Sequence, residues 1–304
     1  MMRPKGSWVA IPTPFTEDDN VDFDGFEKLV DFHVEHGTDG LLLMGSTGES
    51  PSLTMDERRE ILDRVLAYAK GKLPVLAGTT GGNTKQTVGL SKYAEQAGAD
   101  GLLLVVPPYL SPTQDGIYEH FKAVAEAVAI PAAMYNNPGR VGVNIEPATV
   151  VALADIPNIV ADKEAMPSVS QLVQIRRQAG DKINLLCCDA PGFSLIVPTL
   201  ALGGHGTANI SGNVIPREMA KMSKPWRSWE DVERTRQLLF EYHPLMAALY
   251  SLPNPIAVKA ALRLLGLPAG HVRLPLLDMD ETRTQDLRAL MDRLGVMATY
   301  SRAK

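Results

Sequence analysis

GTDGLLL, at residues 37–43, recurs almost unchanged as GADGLLL at residues 98–104. In each copy the first glycine suits the position after a helix end, where a positive φ is required, and the aspartate and second glycine suit a tight turn. The three leucines that follow are continuous, as expected of a parallel strand that helices cover. The repeated stretch therefore predicts the joint between a helix and a buried parallel strand.

The same alternation of helical segments and short apolar runs continues along the chain. Strand-like runs begin near Trp8, Gly40, Pro74, Gly101, Pro131, Ile159, Ile183 and Gly206. Eight βα units over about 210 residues favour an α/β fold of the (β/α)8 type, a TIM barrel, over a doubly wound sheet. One helix is marked by a capping box, Thr54 with Glu57, and should end at Gly71. The apolar stripes predicted on two helices are Phe26, Leu29, Val30 and Val34, and Leu172, Val173 and Ile175.

Strand signals cease after Pro216, and the remaining sequence reads as helical. Three helical stretches follow at roughly residues 229–251, 256–265 and 282–294, and the PNP at 253–255 separates the first two. We therefore predict a (β/α)8 barrel over residues 1–224 and a C-terminal helical extension over residues 225–304.

Composition and charge exclude several classes of function. The 304 residues are 45% hydrophobic and carry a formal net charge of -5, which leaves no basic surface for nucleic acid. The apolar stretch at 102–108 is far too short to span a bilayer, and residues 1–8 lack the apolar run of a leader. Cys187 and Cys188 are adjacent, so no disulfide framework is possible, and the six histidines lack ligand spacing. We expect a cytoplasmic protein without a metal, a membrane or a nucleic-acid partner.

Two polar side chains close adjacent predicted strands. Lys163 follows the apolar run at 159–161, and Tyr135 follows the run at 132–134. Active sites of (β/α)8 barrels lie at the C-terminal ends of the strands, so the two side chains should meet there. An amine that loses its hydration is more easily left uncharged, and an uncharged amine beside a phenol suits Schiff-base chemistry on a carbonyl. A structural lysine paired with Glu164 or another carboxylate is the alternative interpretation.

Two further segments at these strand ends suit anionic groups. GSTG at 45–48 has the glycine turn and hydroxyls of an anion-binding nest, although it lacks the lysine of a P-loop and also suits an ordinary tight turn. Arg140, in the loop after Tyr135, could clamp a carboxylate with two hydrogen bonds, or could be a solvated loop arginine.

Taken together, the motifs resemble those of a known family. They are GSTGES at 45–50, YNNPGR at 135–140, KEA at 163–165, LGGHG at 202–206, PNPIAVK at 253–259 and RLPL at 273–276. Over nearly its whole length the chain resembles the dihydrodipicolinate synthase and N-acetylneuraminate lyase family of pyruvate-dependent lyases. An arginine at position 140 is typical of the synthase branch.

The resemblance implies a 4-hydroxy-tetrahydrodipicolinate synthase of lysine and diaminopimelate biosynthesis. Lys163 would form an imine with pyruvate without any cofactor, and the derived enamine would attack L-aspartate 4-semialdehyde. Tyr135, Ser46 and Tyr109 would form a proton relay, with Tyr109 reaching into the neighbouring subunit of a homodimer or homotetramer. The substrate-binding residues would be Thr47 for the pyruvate carboxylate, the Ala208 backbone for the keto-acid pocket and Arg140 for the semialdehyde carboxylate.

Some positions depart from the synthase pattern. Ser46 replaces threonine, Asp162 replaces an aliphatic residue, and CCDA at 187–190 replaces SGDD, so that Cys188 should reshape the second-substrate pocket. The positions at which lysine-inhibited relatives bind their effector carry Met55, Arg58, Gly82, Gln86 and Pro108, and we expect no inhibition by lysine. Two alternatives stay open: a related aldolase or dehydratase acting on a 2-keto-3-deoxy acid or a cyclic imino acid, and a noncatalytic binding paralogue.

Overall fold

Eight parallel strands close into a barrel in which each strand pairs with its neighbours in sequence and the last pairs with the first. The computed structural model describes residues 1–302. The strands are β1 (Gly6–Ala10), β2 (Gly40–Leu43), β3 (Val75–Gly78), β4 (Gly101–Val105), β5 (Ala132–Asn136), β6 (Ile159–Glu164), β7 (Asn184–Cys187) and β8 (Gly206–Asn209). The predicted (β/α)8 barrel is confirmed, and each strand begins within two residues of its predicted start.

Helices follow the strands in turn and then form the C-terminal extension. Those associated with the barrel are α1 (Phe23–Glu35), α2 (Met55–Ala69), α3 (Thr84–Gln96), α4 (Gln114–Ala125), α5 (Pro138–Val141), α6 (Pro147–Leu153), α7 (Val169–Ala179), α8 (Ile196–Ala201) and α9 (Pro216–Met222). The extension comprises α10 (Trp229–Leu249), α11 (Ile256–Leu264), α12 (Glu281–Arg293) and α13 (Val296–Tyr300). Helix α13 was not predicted. The boundary at residue 224 stays a prediction, since α10 packs directly on α9.

The repeated joints have the predicted form and one feature that the pattern did not reveal. Gly37 and Gly98 follow α1 and α3 with φ of 73° and 92°, a region that favours glycine. In each turn the aspartate carboxylate accepts a hydrogen bond from the first residues of an adjacent strand: Asp39 from the Ser7 N–H at 2.8 Å and Asp100 from the Val75 N–H at 2.8 Å. The aspartates therefore fix the register of each joint against the neighbouring strand.

The helix signals are mostly confirmed. The capping box at Thr54 is present, and α2 ends just before Gly71. Two predicted stripe residues, Val34 and Val173, are exposed, so these predictions were wrong. The buried faces instead include His33 and Gln171, whose side chains bond Thr38 and Glu164 respectively. A pattern of apolar residues cannot detect a buried face completed by hydrogen-bonded polar groups.

The extension is tied to the C-terminal face of the barrel by a buried ion pair. Lys259 Nζ, on α11, lies 2.6 Å from Glu49 Oε1, in the segment that follows β2, and both side chains are fully buried. The same amine donates to the His271 carbonyl at 2.6 Å and lies 4.2 Å from the ring centre of Phe15. Burial lowers the pKa of Lys259 to about 8, so desolvation outweighs the attraction of Glu49.

Among the helices of residues 1–302, none has the length and apolarity needed to cross a bilayer.

Candidate active site

Lys163 and Tyr135 meet inside the mouth of the barrel. They pair in register across β6 and β5, and paired residues of neighbouring parallel strands point to the same side of a sheet. Lys163 Nζ lies 4.1 Å from the ring centre of Tyr135, and both side chains are buried. The predicted juxtaposition is confirmed, and it places an amine against a phenol.

The alternative interpretation, a structural pair between Lys163 and Glu164, is wrong. The Glu164 carboxylate accepts hydrogen bonds from Asn136 Nδ2 at 3.0 Å, Gln171 Nε2 at 2.8 Å and the Met166 N–H at 2.6 Å. Burial raises the pKa of Glu164 to about 7. Of the carboxylates in residues 1–302, none lies within 4.0 Å of Lys163 Nζ, so the amine is not held by an ion pair.

Lys163 opens onto a cavity of about 300 Å³ at the C-terminal ends of the strands. The cavity is lined by six of the predicted site residues, Lys163, Tyr135, Ser46, Thr47, Arg140 and Ala208. Residues more than a hundred positions apart therefore surround one space. Tyr109 is not among the lining residues: it is 98% exposed and has a φ of 76°.

The GSTG loop is held in a tight conformation at the end of β2. Met44 and Glu49, which flank it, have φ of 53° and 51°, and such left-handed residues cost of order 1–3 kcal/mol each where the surrounding structure enforces them. A Cβ on Gly48 would lie 3.0 Å from Met44 Cα, so a larger residue there would require the backbone at Met44 to shift. Thr13 Oγ1 donates to the Gly48 carbonyl at 2.7 Å. The loop is thus fixed before any ligand arrives.

Two asparagines that sequence reasoning did not single out orient the site hydroxyls. Asn137 Nδ2 donates to the Tyr135 hydroxyl at 2.7 Å, and Asn254 Nδ2 donates to Thr47 Oγ1 at 2.8 Å. Since each hydroxyl oxygen accepts from an amide, its own proton is left to donate toward a ligand. Asn137 follows the end of β5 and Asn254 lies in the PNP break, and an asparagine in either place ordinarily indicates no more than a turn, so no local signal singled them out.

The comparisons with known proteins agree with this geometry. A model described as the dihydrodipicolinate synthetase family matches residues 3–294. The chain belongs to this family. A curated relative from Geobacter metallireducens, named 4-hydroxy-tetrahydrodipicolinate synthase, is 41% identical over 94% of this chain and 97% of its own.

Solved structures of dihydrodipicolinate synthases share the fold. The Aquifex aeolicus enzyme superposes with a TM-score of 0.92 at 38% identity, over 99% of this chain and all of its own. A structure described as the first monomeric dihydrodipicolinate synthase variant gives a TM-score of 0.89 at 35% identity, over 96% of this chain and 97% of its own.

One wall of the cavity carries residues that depart from the synthase pattern. Cys188 Sγ lies 3.4 Å from the Tyr250 hydroxyl, which donates to Asp189 Oδ1 at 2.5 Å. Asp189 also accepts from the Ile210 N–H at 3.2 Å and from the Ser211 N–H at 3.0 Å. Burial raises the pKa of the Cys188 thiol and that of Tyr250, so both stay protonated. Of the residues in this wall, the sequence analysis named Cys188 but not Tyr250, which directly follows α10.

Asp162 lies on β6 directly before Lys163. Successive residues of a strand point to opposite faces, so its side chain faces away from the cavity. It is fully buried, and neither carboxyl oxygen has a hydrogen-bond partner in the described part of the chain. Burial, together with the nearby Glu164, raises the pKa of Asp162 well above its ordinary value.

Residues 1–302 contain no cluster of three or more His, Cys, Asp or Glu side chains able to hold a metal ion.

Proposed function

We propose that this protein is a 4-hydroxy-tetrahydrodipicolinate synthase, which condenses pyruvate with L-aspartate 4-semialdehyde through an imine at Lys163. The observation that carries the proposal is a buried lysine without a carboxylate partner in residues 1–302, packed against a phenol at a cavity at the C-terminal ends of the strands. Curated relatives that bear this name match almost the full length of the chain. The chemistry requires no cofactor, since the lysine itself carries the substrate.

The first stage joins pyruvate to the enzyme. The Lys163 amine attacks the keto carbon, water leaves, and an imine forms. The Tyr135 hydroxyl, whose proton is left to donate by the Asn137 hydrogen bond, protonates the departing oxygen. The Thr47 hydroxyl is oriented in the same way and binds the pyruvate carboxylate, and the Ala208 backbone lines the pocket beside it.

The second stage joins the two substrates. Loss of a methyl proton converts the imine into an enamine, whose carbon attacks the aldehyde carbon of the semialdehyde. The amino group of the semialdehyde then attacks the imine carbon, which closes the ring and releases the Lys163 amine. Arg140 lines the cavity and holds the semialdehyde carboxylate with charged hydrogen bonds.

Tyr109 supports a dimer or tetramer as the working unit. With Tyr135 and Ser46 it would complete a proton relay, yet it does not line its own cavity and is 98% exposed. An aromatic side chain held at a positive φ in full exposure is typical of a contact with another subunit. The relative described as the first monomeric variant indicates that oligomers are usual in the family. We place the working enzyme in the cytoplasm as a homodimer or homotetramer.

A second candidate function is favoured by the wall formed by Cys188 and Tyr250. A thiol and a phenol at this wall alter the space for the second substrate, and a related aldolase or dehydratase would keep the same imine at Lys163. In the first function pyruvate forms the imine and its enamine adds to a semialdehyde, whereas in the second a 2-keto-3-deoxy acid or a cyclic imino acid would itself form the imine at Lys163 and then be cleaved or dehydrated.

Borohydride trapping followed by turnover assays tests both. The enzyme is treated with borohydride in the presence of pyruvate and digested, and the adduct is located by mass spectrometry, with Lys163→Ala as the control. We expect one adduct, on the peptide that contains Lys163. Turnover is then compared between L-aspartate 4-semialdehyde with pyruvate and a panel of 2-keto-3-deoxy acids. An absent adduct refutes imine chemistry, and an adduct with turnover of the sugar acids alone selects the second function.

A further inference from the structure

Asp189 is a buried carboxylate whose hydrogen-bonding capacity is used up by the chain itself. Its Oδ1 accepts from the Tyr250 hydroxyl at 2.5 Å and from the Ile210 N–H at 3.2 Å. Its Oδ2 accepts from the Ser211 hydroxyl at 2.5 Å and from the Ser211 N–H at 3.0 Å. A carboxylate has about four lone-pair sites, so these hydrogen bonds leave Asp189 without an acceptor position for a ligand.

The same contacts fix the direction of the hydrogen bonds in the wall formed by Cys188 and Tyr250. The Tyr250 hydroxyl has one proton, and it donates that proton to Asp189. In the 3.4 Å contact between Cys188 Sγ and the Tyr250 oxygen, the thiol is therefore the donor. The sulfur that is left to face a ligand is a weak acceptor. The wall thus turns its polar groups on one another, and Asp189 behind it does not line the cavity.

The rest of the cavity at Lys163 offers little to a hydroxylated chain. No acidic side chain of residues 1–302 lines it, and position 190, where the synthase pattern has a second aspartate, is alanine. The polar residues outside the wall are those assigned above to the keto acid and to the semialdehyde carboxylate, with the asparagines that orient them. The other lining side chains are the apolar Phe193, Ala208 and Ile210. A hydroxyl that loses water here without gaining a partner costs about 1–3 kcal/mol.

We propose that Tyr250 is a specificity-determining residue, which closes Asp189 and so makes the cavity reject substrates with a hydroxylated chain. The inference rests on the proposed function for the position of the keto acid at Lys163, and it adds the class of substrate that extends toward the wall. A short aldehyde without hydroxyl groups is accepted, and a polyhydroxylated 2-keto-3-deoxy acid is rejected. Without the Tyr250 hydroxyl, one acceptor position on Asp189 Oδ1 becomes free, and a ligand hydroxyl can take the vacated place.

Two six-carbon keto acids that differ only in their hydroxyl groups test the inference: 2-keto-3-deoxygluconate and 2-oxohexanoate. Their binding is measured by isothermal calorimetry in a Lys163→Ala background, where no imine forms, with and without Tyr250→Phe. The matched control adds Tyr242→Phe instead, which removes the hydroxyl of a tyrosine on α10 that does not line the cavity. We expect Tyr250→Phe to shift the ratio of the two affinities at least about tenfold toward 2-keto-3-deoxygluconate, and Tyr242→Phe to leave it unchanged.

Because the background lacks the lysine, this result does not depend on imine formation, which borohydride trapping tests separately. An unchanged ratio in a folded Tyr250→Phe variant overturns the inference, and so does a Lys163→Ala protein that already binds the hydroxylated acid as tightly as 2-oxohexanoate.

A second variant keeps the test decisive if thermal unfolding shows that Tyr250→Phe folds poorly. Cys188→Ser leaves Tyr250 and Asp189 in place and puts an oxygen where the sulfur stood. Oxygen is the stronger acceptor, so the same ratio should shift at least about twofold toward 2-keto-3-deoxygluconate. An unchanged ratio in Cys188→Ser would then overturn the inference.

Discussion

Replacement of Asp162 by valine should make the protein more stable. The aspartate is fully buried on β6, its sheet neighbours are Met134 and Leu185, and both carboxyl oxygens lack hydrogen-bond partners within the described residues. Valine is β-branched and suits a strand, and its methyl groups match the apolar side chains of its sheet neighbours Met134 and Leu185. The variant therefore replaces an unsatisfied polar group with an apolar one.

The expected gain follows from the burial and from the raised pKa. A buried polar group without a partner costs about 1–3 kcal/mol, and this is the gain expected where the carboxyl is protonated in the folded state. Above the ordinary pKa of 3.8 the unfolded chain releases the proton while the folded chain retains it, because the folded pKa is raised. Folding then takes up a proton, so wild-type stability falls with rising pH by up to about 1.4 kcal/mol per unit until the folded pKa is reached.

The assay is thermal unfolding followed by near-ultraviolet circular dichroism at pH 5 and pH 7.5. At pH 5 the pH-dependent part, up to about 1.6 kcal/mol above the ordinary pKa of 3.8, adds to the roughly 1–3 kcal/mol of the unsatisfied group. Asp162→Val should therefore melt about 5–9 °C above the wild type at pH 5, at about 2 °C per kcal/mol for a chain of this size, and the gap should widen at pH 7.5. Asp162→Asn is the matched control, since it keeps the buried polar atoms but cannot ionise. Relative to the wild type, Asp162→Asn should gain only the part of the stability that depends on pH.

Two results would refute the reasoning about Asp162. A gap between the valine variant and the wild type that is the same at both pH values would mean that the pKa of the carboxyl is not raised. A valine variant less stable than the wild type at both values would mean that the carboxyl has a stabilising partner. Glu164, whose pKa is raised to about 7, is present in all three proteins, but its charge helps to raise the pKa of Asp162, so its own titration differs between the wild type and the variants. Comparing Asp162→Val with Asp162→Asn cancels this contribution, because neither variant can ionise at position 162.

Three further substitutions test the site and its support. Tyr135→Phe should lower kcat by about 10²–10⁴-fold, the usual effect of losing a general acid, while borohydride should still trap pyruvate on the enzyme. An unchanged kcat in a steady-state assay would contradict the role of the phenol. Arg140→Ala should raise the KM for the semialdehyde about 10–100-fold and leave that for pyruvate unchanged, which initial rates with each substrate varied will show; equal effects on both KM values would count against the assignment. Lys259→Met should lower the free energy of unfolding, measured in urea, by about 3–5 kcal/mol, because Glu49 is left buried and unpaired. Adding Glu49→Gln should restore part of this loss. If the losses of the two single variants simply add in the double variant, the two residues are not coupled.

Much of the barrel is predictable because its signals are local. The joints at Gly37 and Gly98 predict both the helix ends and the buried strands that follow, and once eight such units are counted the closed topology leaves little choice. The meeting of Lys163 and Tyr135 follows from the topology alone, since residues that close neighbouring strands must lie side by side. Helix α13 carries no such signal, as its single turn after Gly295 has no cap or periodic stripe long enough to detect.

The polar interior of the site is the part that the sequence does not disclose. Asn137 and Asn254 act only because the fold brings them to within 2.8 Å of Tyr135 and Thr47, and asparagine in a loop ordinarily indicates no more than a turn. Tyr250 reaches the cavity from the extension, 62 residues beyond Cys188. These contacts depend on how α10 and α11 dock on the barrel, which no local pattern specifies.

Asp162 and Arg58 show why a buried group without a partner must be interpreted by what lies beside it. Both belong to residue types that are normally charged, and both are buried. Each has at least one buried polar atom without a hydrogen-bond partner within the described residues. Asp162 does not line the cavity at Lys163, and an acid can avoid the cost of burial by keeping its proton. Arg58 has no such escape, because a guanidinium cannot release its proton in a protein. Arg58 therefore keeps its charge and offsets part of the cost of burial through its hydrogen bond to the Thr80 carbonyl at 2.8 Å, so the same physical rule predicts a dispensable acid at one position and a retained cation at the other.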